Sequence, residues 1–178
     1  MAQLKEKVTL KHFGSSTPSI FESMVNIPTE SRHALIELLN ARLVDTIDLQ
    51  TQAKFAHWNV KGHNFYQLHL LFDSIAEHLE EGVDLIAERI TALGGRANGT
   101  VRQAAAHSSL KEYDLNALNG IEHVRVLADR LAYLSNSTRE AIDRSDDLGD
   151  KGTSDLFTEI VRTADKDLYF LESHLQAE

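Results

Sequence analysis

From Thr29 to Asn59 the apolar residues Leu35, Ile36, Leu39, Leu43, Ile47 and Ala53 recur at helical spacing, and Leu38, Val44 and Leu49 widen the stripe. Thr29 stands where an N-cap is expected, with Glu30 in the first turn, so the segment predicts a helix buried on two sides that keeps Asp45, Asp48 and Gln50 on a polar side. A second helix is predicted from Asn64 to Leu93. That stretch lacks proline, holds one glycine (Gly82), opens on the capping-box pattern Asn64/Gln67 and closes on Leu93-Gly94-Gly95 with Arg89 in the last turn. Residues 96–113 are too many for a tight turn and carry a short helix over Val101 to Ala106. A third long helix spans Asn119 to Asp143, with a start as early as Asp114 as the alternative. Asn119/Glu122 forms its capping-box pattern, and Ile121, Val124, Leu127, Ala128, Leu131, Leu134 and Ile142 form its core stripe. An acidic loop then leads to a fourth helix from Ser154 to Leu175, marked by Leu156, Ile160, Ala164, Leu168, Leu171 and Leu175. Four such helices predict an all-α four-helix bundle whose crossover joins two helices running in the same direction. Residues 1–28 read as a tail and 29–178 as the bundle domain.

Composition narrows the function. The 178 residues contain no cysteine, which removes disulfides, thiolate metal sites and cysteine nucleophiles. No apolar run approaches the ~20 residues of a membrane span and no secretory leader opens the chain, so a cytoplasmic protein is expected. The net charge of −9 argues against a body that binds DNA by charge attraction and suits the handling of cations. Lys5, Lys7 and Lys11 against Glu6 leave the tail with a local excess of +2, a solvated charge run or a weak DNA contact.

The candidate chemistry lies on the second helix. His69, Asp73, Glu77, Glu80, Asp84 and Glu88 advance by three or four residues, which holds them within a sector about 100° wide. Asp73 and Asp84 point the same way but sit about 16 Å apart along the axis, whereas metal–ligand bonds are about 2.0 to 2.2 Å long. One helix cannot close both ends on one ion. A second copy laid antiparallel about a two-fold axis can, because Asp73/Asp84 and His69/Glu88 are both placed symmetrically about position 78.5. That axis brings Asp73 opposite Asp84 of the twin helix and His69 opposite Glu88 of the twin, creating two identical sites shared by two chains. His57, at the end of the first helix, tops each site as a further imidazole.

H-W-N-x-x-G-x-x-F-x-x-L-H-x-x-x-D from His57 to Asp73, followed by D-x-x-A-E-R from Asp84 to Arg89, resembles the ferroxidase signature of the Dps family, the mini-ferritins. The resemblance covers about Ile27 to Leu175 and implies a ferritin-like four-helix bundle assembled as a hollow dodecamer of two-fold dimers. It implies His57, His69 and Asp73 as iron ligands from one subunit and Asp84 and Glu88 from its mate. It further implies oxidation of Fe2+, by hydrogen peroxide in preference to dioxygen, storage of ferric mineral, protection against oxidative damage, and a cytoplasmic or nucleoid location. Zinc accepts the same ligands and is expected as a substitute. Trp58 reads either as core filler or, by the resemblance, as an electron donor to stray oxidising intermediates. Asp143, Asp146, Asp147, Asp150 and Asp155 read either as a turn-rich acidic loop or as the lining of the family's three-fold pores.

Competing readings are weaker. A ferritin or bacterioferritin with its site inside one subunit needs two E-x-x-H motifs, and only Glu30 to His33 fits. A zinc hydrolase lacks its H-E-x-x-H. A DNA-compacting protein acting through the N-terminal tail is the alternative function. Of the remaining side chains, Lys54, one turn before His57, is placed to reach the site's carboxylates but is expected to face solvent, and His78 is expected to pack, while Glu77 and Glu80 read as salt-bridging surface residues or as acids that seed ferric clusters.

Overall fold

The computed structural model describes residues 21–176, so the tail lysines and the DNA reading placed on them lie outside the described residues. Five helices follow in order: α1 (Thr29–Asn59), α2 (Phe65–Ala92), α3 (Val101–His107), α4 (Gly120–Asp147) and α5 (Lys151–Leu175). Among the described residues there is no strand, and no helix is long and apolar enough to cross a membrane.

Two hairpins, α1/α2 and α4/α5, pack side by side, α1 against α4 and α2 against α5. Their directions follow from two contacts. Lys61, before α2, bridges Asn119, before α4, so these helices start at the same end. Arg89 near the end of α2 binds Asp150 at the start of α5, so that pair is antiparallel. The crossover bearing α3 therefore joins parallel helices, as expected. Gly120 marks the tightest approach: a Cβ there would come within 2.4 Å of Leu68 Cδ1.

The capping expectations divide. Asn119 and Glu122 form the full capping box, with Asn119 Oδ1 accepting from Glu122 N at 3.1 Å and Glu122 Oε2 accepting from Asn119 N at 3.1 Å. Asn64 precedes α2 but makes no side-chain cap, and α1 opens at Pro28, where Thr29 Oγ1 instead accepts from Arg32. Proline has no N–H to satisfy and its fixed φ suits a helix start. The loop expected between Asp143 and Ser154 is only Leu148, Gly149 and Asp150. Gly149, at φ +82°, ends α4 in a Schellman turn, with Gly149 N donating to Asp146 O and Asp150 N to Ser145 O. Asp150 then caps α5 through Gly152 N and Thr153 N. Of the acids that read as loop, Asp143, Asp146 and Asp147 are the solvated end of α4, Asp155 lies in α5, and Asp150 is only 3 % exposed and held by Arg89.

The polar side of α1 also has an unexpected partner. Asp45 is fully buried, ion-paired with Arg42 at 2.9 Å, and accepts from Ser109 N at 2.7 Å. Asp48 accepts from Ser108 Oγ at 2.5 Å, Gln52 donates to Lys111 O at 3.2 Å, and Asn40 bonds both Arg96 O and Asn98 N. Arg130 of α4 reaches Lys111 O and Glu112 O from the other side. These groups satisfy the backbone of a segment without regular structure, which water would otherwise have to do. Burial pushes the Asp45 carboxyl above its ordinary range despite Arg42.

Asp150 behaves oppositely: burial raises its pKa, but the bonds from Arg89 and Thr153 outweigh it and hold the carboxyl below its ordinary value. Its ionised form therefore stabilises the fold above the ordinary carboxylate range, and that contribution fades as pH falls through the lowered folded value. Asp150→Ala should cost about 3 kcal/mol by urea denaturation near neutrality, and the gap to the parent protein should narrow progressively in acid. A gap independent of pH would contradict the assignment.

Candidate metal centre

The site is seated at the α1/α2 turn by its apolar neighbours. Leu68 and Phe72, next to His69 and Asp73, are buried in a core cluster with Ala53, Ala56 and Val60 of the facing helix. Burying such side chains contributes about 1.5 to 3 kcal/mol each, against about 0.2 to 1 kcal/mol for an exposed ion pair. Core packing, not the polar contacts, sets the register that brings His57 opposite His69.

In that register the two imidazoles stack with centroids 3.7 Å apart and planes 20° from parallel. His57 Nδ1 lies 2.7 Å from the carbonyl oxygen of His69, and His69 Nδ1 lies 2.8 Å from that of His57. A carbonyl only accepts, so each Nδ1 carries the proton and each Nε2 keeps a lone pair for a metal. Fixing the tautomer through the other ring nitrogen is what backbone carbonyls commonly do for metal-binding histidines.

Asp73, one turn beyond His69, is half-buried, with Oδ1 3.8 Å from His57 Nδ1. Lys54, one turn before His57, donates to the same Oδ1 at 2.5 Å instead of facing solvent. The Lys54 hydrogen bond, with the charge of Lys54 itself, holds the Asp73 carboxyl below its ordinary range, so it is anionic at neutral pH. The sequence signal for Lys54 was its three-residue spacing from His57, which places both on one face of α1.

The structure brings together His57, His69 and Asp73. Asp84 and Glu88 are exposed, on later turns of α2. Among the described residues of one chain no three His, Cys, Asp or Glu side chains form a group able to hold a metal ion. Trp58 is 64 % exposed beside His57 and fills no core. Glu77 and Glu80 are exposed, and His78 leans away from the acidic stripe to bond Asp167 of α5 at 2.9 Å. Of the five loop acids, Asp143, Asp146, Asp147 and Asp155 stay exposed, with Asp146 paired to Lys151.

Known proteins resemble this chain in sequence and in fold. The family model described as a ferritin-like domain matches residues 36–178. The DNA protection during starvation protein of Agrobacterium fabrum is 38 % identical over 85 % of this chain and 93 % of its own. The structure resembles DpsC from Streptomyces coelicolor at a TM-score of 0.85 and 29 % identity, covering 93 % of this chain and 96 % of that one. It also resembles the Vibrio cholerae Dps protein, described as a member of a superfamily of ferritin-like diiron-carboxylate proteins, at a TM-score of 0.81 and 25 % identity, covering 86 % and 96 %. With a histidine-rich turn on a ferritin-like bundle and relatives of this name along most of its length, the chain belongs to the Dps family.

Proposed function

We propose that this protein oxidises and sequesters iron at centres built between two chains. The observation that carries the reading is the crossed His57/His69 pair, which leaves two ligand nitrogens beside an anionic Asp73. Three ligands do not complete a cage, and Asp84 and Glu88, symmetric to Asp73 and His69 about the middle of α2, are the groups a two-fold mate would lend. Ferrous ion is the substrate. Imidazole nitrogens and carboxylate oxygens together suit iron, and zinc would bind the same set. Two ferrous ions give one electron each to hydrogen peroxide, which takes up two protons and leaves as two waters, so no hydroxyl radical is released. Dioxygen serves as the slower oxidant, and ferric product accumulates as mineral inside a dodecameric shell.

Mixing distinguishes a shared cage from one owned by a single chain. Asp73→Ala and Glu88→Ala should each lower ferrous oxidation about 100-fold or more. Subunits of the two variants reassembled together should recover activity, because one centre of each mixed dimer keeps every ligand. No recovery, despite verified mixed assembly, would rule out sharing.

Lys54 competes with incoming iron for Asp73. Lys54→Met should therefore tighten anaerobic Fe2+ binding by about two- to fivefold, the factor expected from the loss of an exposed ion pair. Calorimetry showing unchanged or weaker binding would exclude that competition.

The name of the Agrobacterium relative supports a second activity, DNA retention through Lys5, Lys7 and Lys11. Removing residues 1–13 should abolish gel retention of DNA at low salt while ferrous oxidation persists. Retention by the shortened protein would place DNA binding elsewhere.

A further inference from the structure

His123 of α4 is fully buried, and its Nδ1 lies 2.6 Å from the hydroxyl of Tyr113, itself buried in the crossover. Burial pushes the tyrosine above its ordinary range and the histidine below. Both are therefore neutral at rest: the phenol donates to Nδ1, and the imidazole proton sits on Nε2. That Nε2 is buried with no hydrogen-bond partner, an arrangement that costs about 1 to 3 kcal/mol and that an apolar residue would avoid. The pair is surrounded by rings. Phe55 lies 4.8 Å from Tyr113 and 6.5 Å from His123, and Phe72 lies 6.4 Å from His123. Phe55 is one turn from Trp58 and two residues from His57, while Phe72 adjoins Asp73. Trp58, Phe55 and Tyr113 line one cavity.

We infer that Tyr113 is an electron donor, with His123 as its proton acceptor, placed behind the iron face to intercept one-electron oxidants. The inference rests on the proposed ferrous chemistry. A single ferrous ion reducing hydrogen peroxide gives ferric ion, hydroxide and a hydroxyl radical. The hydroxyl radical takes one electron from Tyr113, directly or through Trp58, and becomes hydroxide, while the phenolic proton crosses 2.6 Å to His123 Nδ1. The products are a neutral tyrosyl radical and an imidazolium. A second ferrous ion then returns the electron, His123 returns the proton, and the pair is restored. Two ferrous ions and one peroxide have become two ferric ions and two hydroxides, with no radical set free.

The short hydrogen bond makes this possible because the tyrosine need not release a proton into a dry interior. A neutral base already in contact takes it as the electron leaves, so no buried cation and phenolate are formed beforehand.

The test needs no iron in its first arm. Azide radicals generated by pulse radiolysis in the intact metal-free assembly oxidise Trp58, the one tryptophan of the sequence, and tryptophanyl and tyrosyl absorption are followed together. Tyrosyl signal should grow as tryptophanyl signal decays, and more slowly in D2O. Tyr113→Phe, which keeps the ring and its packing, should lose that growth, while Tyr66→Phe and Tyr169→Phe keep it. Growth that survives in Tyr113→Phe, is absent from the parent protein, or is indifferent to D2O overturns the inference. The second arm adds Fe2+ at less than one per site and then peroxide, with freeze-quenched electron paramagnetic resonance. A tyrosyl signal lost only in Tyr113→Phe supports the pair. Failure of ferrous oxidation itself, with the iron-free arm intact, would count against the proposed iron chemistry and not against Tyr113 as the donor.

Discussion

Everything at the candidate centre depends on two imidazoles each hydrogen-bonded to the other's main chain. The crossed contacts between His57 and His69 tie the end of α1 to the start of α2 and fix both ring tautomers. A histidine held only by packing would be free to present either nitrogen. Here the backbone makes the choice, and the same bonds that close the turn define its ligand atoms. Structure and chemistry are thus coupled at one point, while the larger energy of Leu68 and Phe72 burial keeps that point in register.

Much of this was legible in the chain because periodicity reports which face is buried. The four long helices, the α3 segment and the capping box at Asn119 follow from spacing and cap chemistry alone. What escaped was set by contacts distant in sequence. Asp150 reads as one more loop acid until Arg89, sixty-one residues earlier, is seen to hold it. Asp45 and Asp48 read as a polar face, and only the fold shows that the face is covered by the crossover they bind. The end of α4 was misjudged because its exposed acids suit a solvated helix end as well as a loop, and Gly149 alone marks the stop. At the site, His57, His69 and Asp73 were readable from the motif and are brought together. Lys54 was legible only in part, because its spacing from His57 puts it on that face while the end of so long a side chain is directed by its partner.

The interior of this bundle is not uniformly apolar. Asn40, Asp45 and Gln52 lie buried on α1 beside leucines and alanines, and His123 sits among phenylalanines. For the α1 groups the reason is structural: a long irregular connection must have its peptide groups satisfied, and side chains from two helices do so. The Tyr113–His123 pair differs in that its two side chains bond each other and no peptide group of the connection, while His123 Nε2, like Asp45 Oδ2 and Gln52 Oε1, is buried without a hydrogen-bond partner. A polar group that satisfies nothing outside its own pair is better explained by reactivity than by packing.

Gly120 gives this architecture a mechanical property. With Leu68 Cδ1 only 2.4 Å from the place a methyl would occupy, the first turn of α4 works as a thin shim under the imidazole-bearing hairpin. Even alanine there would displace the Leu68 methyl, at the residue adjoining His69. The packing beneath the imidazole-bearing turn thus depends in part on a helix that carries neither imidazole, through the one side chain that the absent methyl leaves room for.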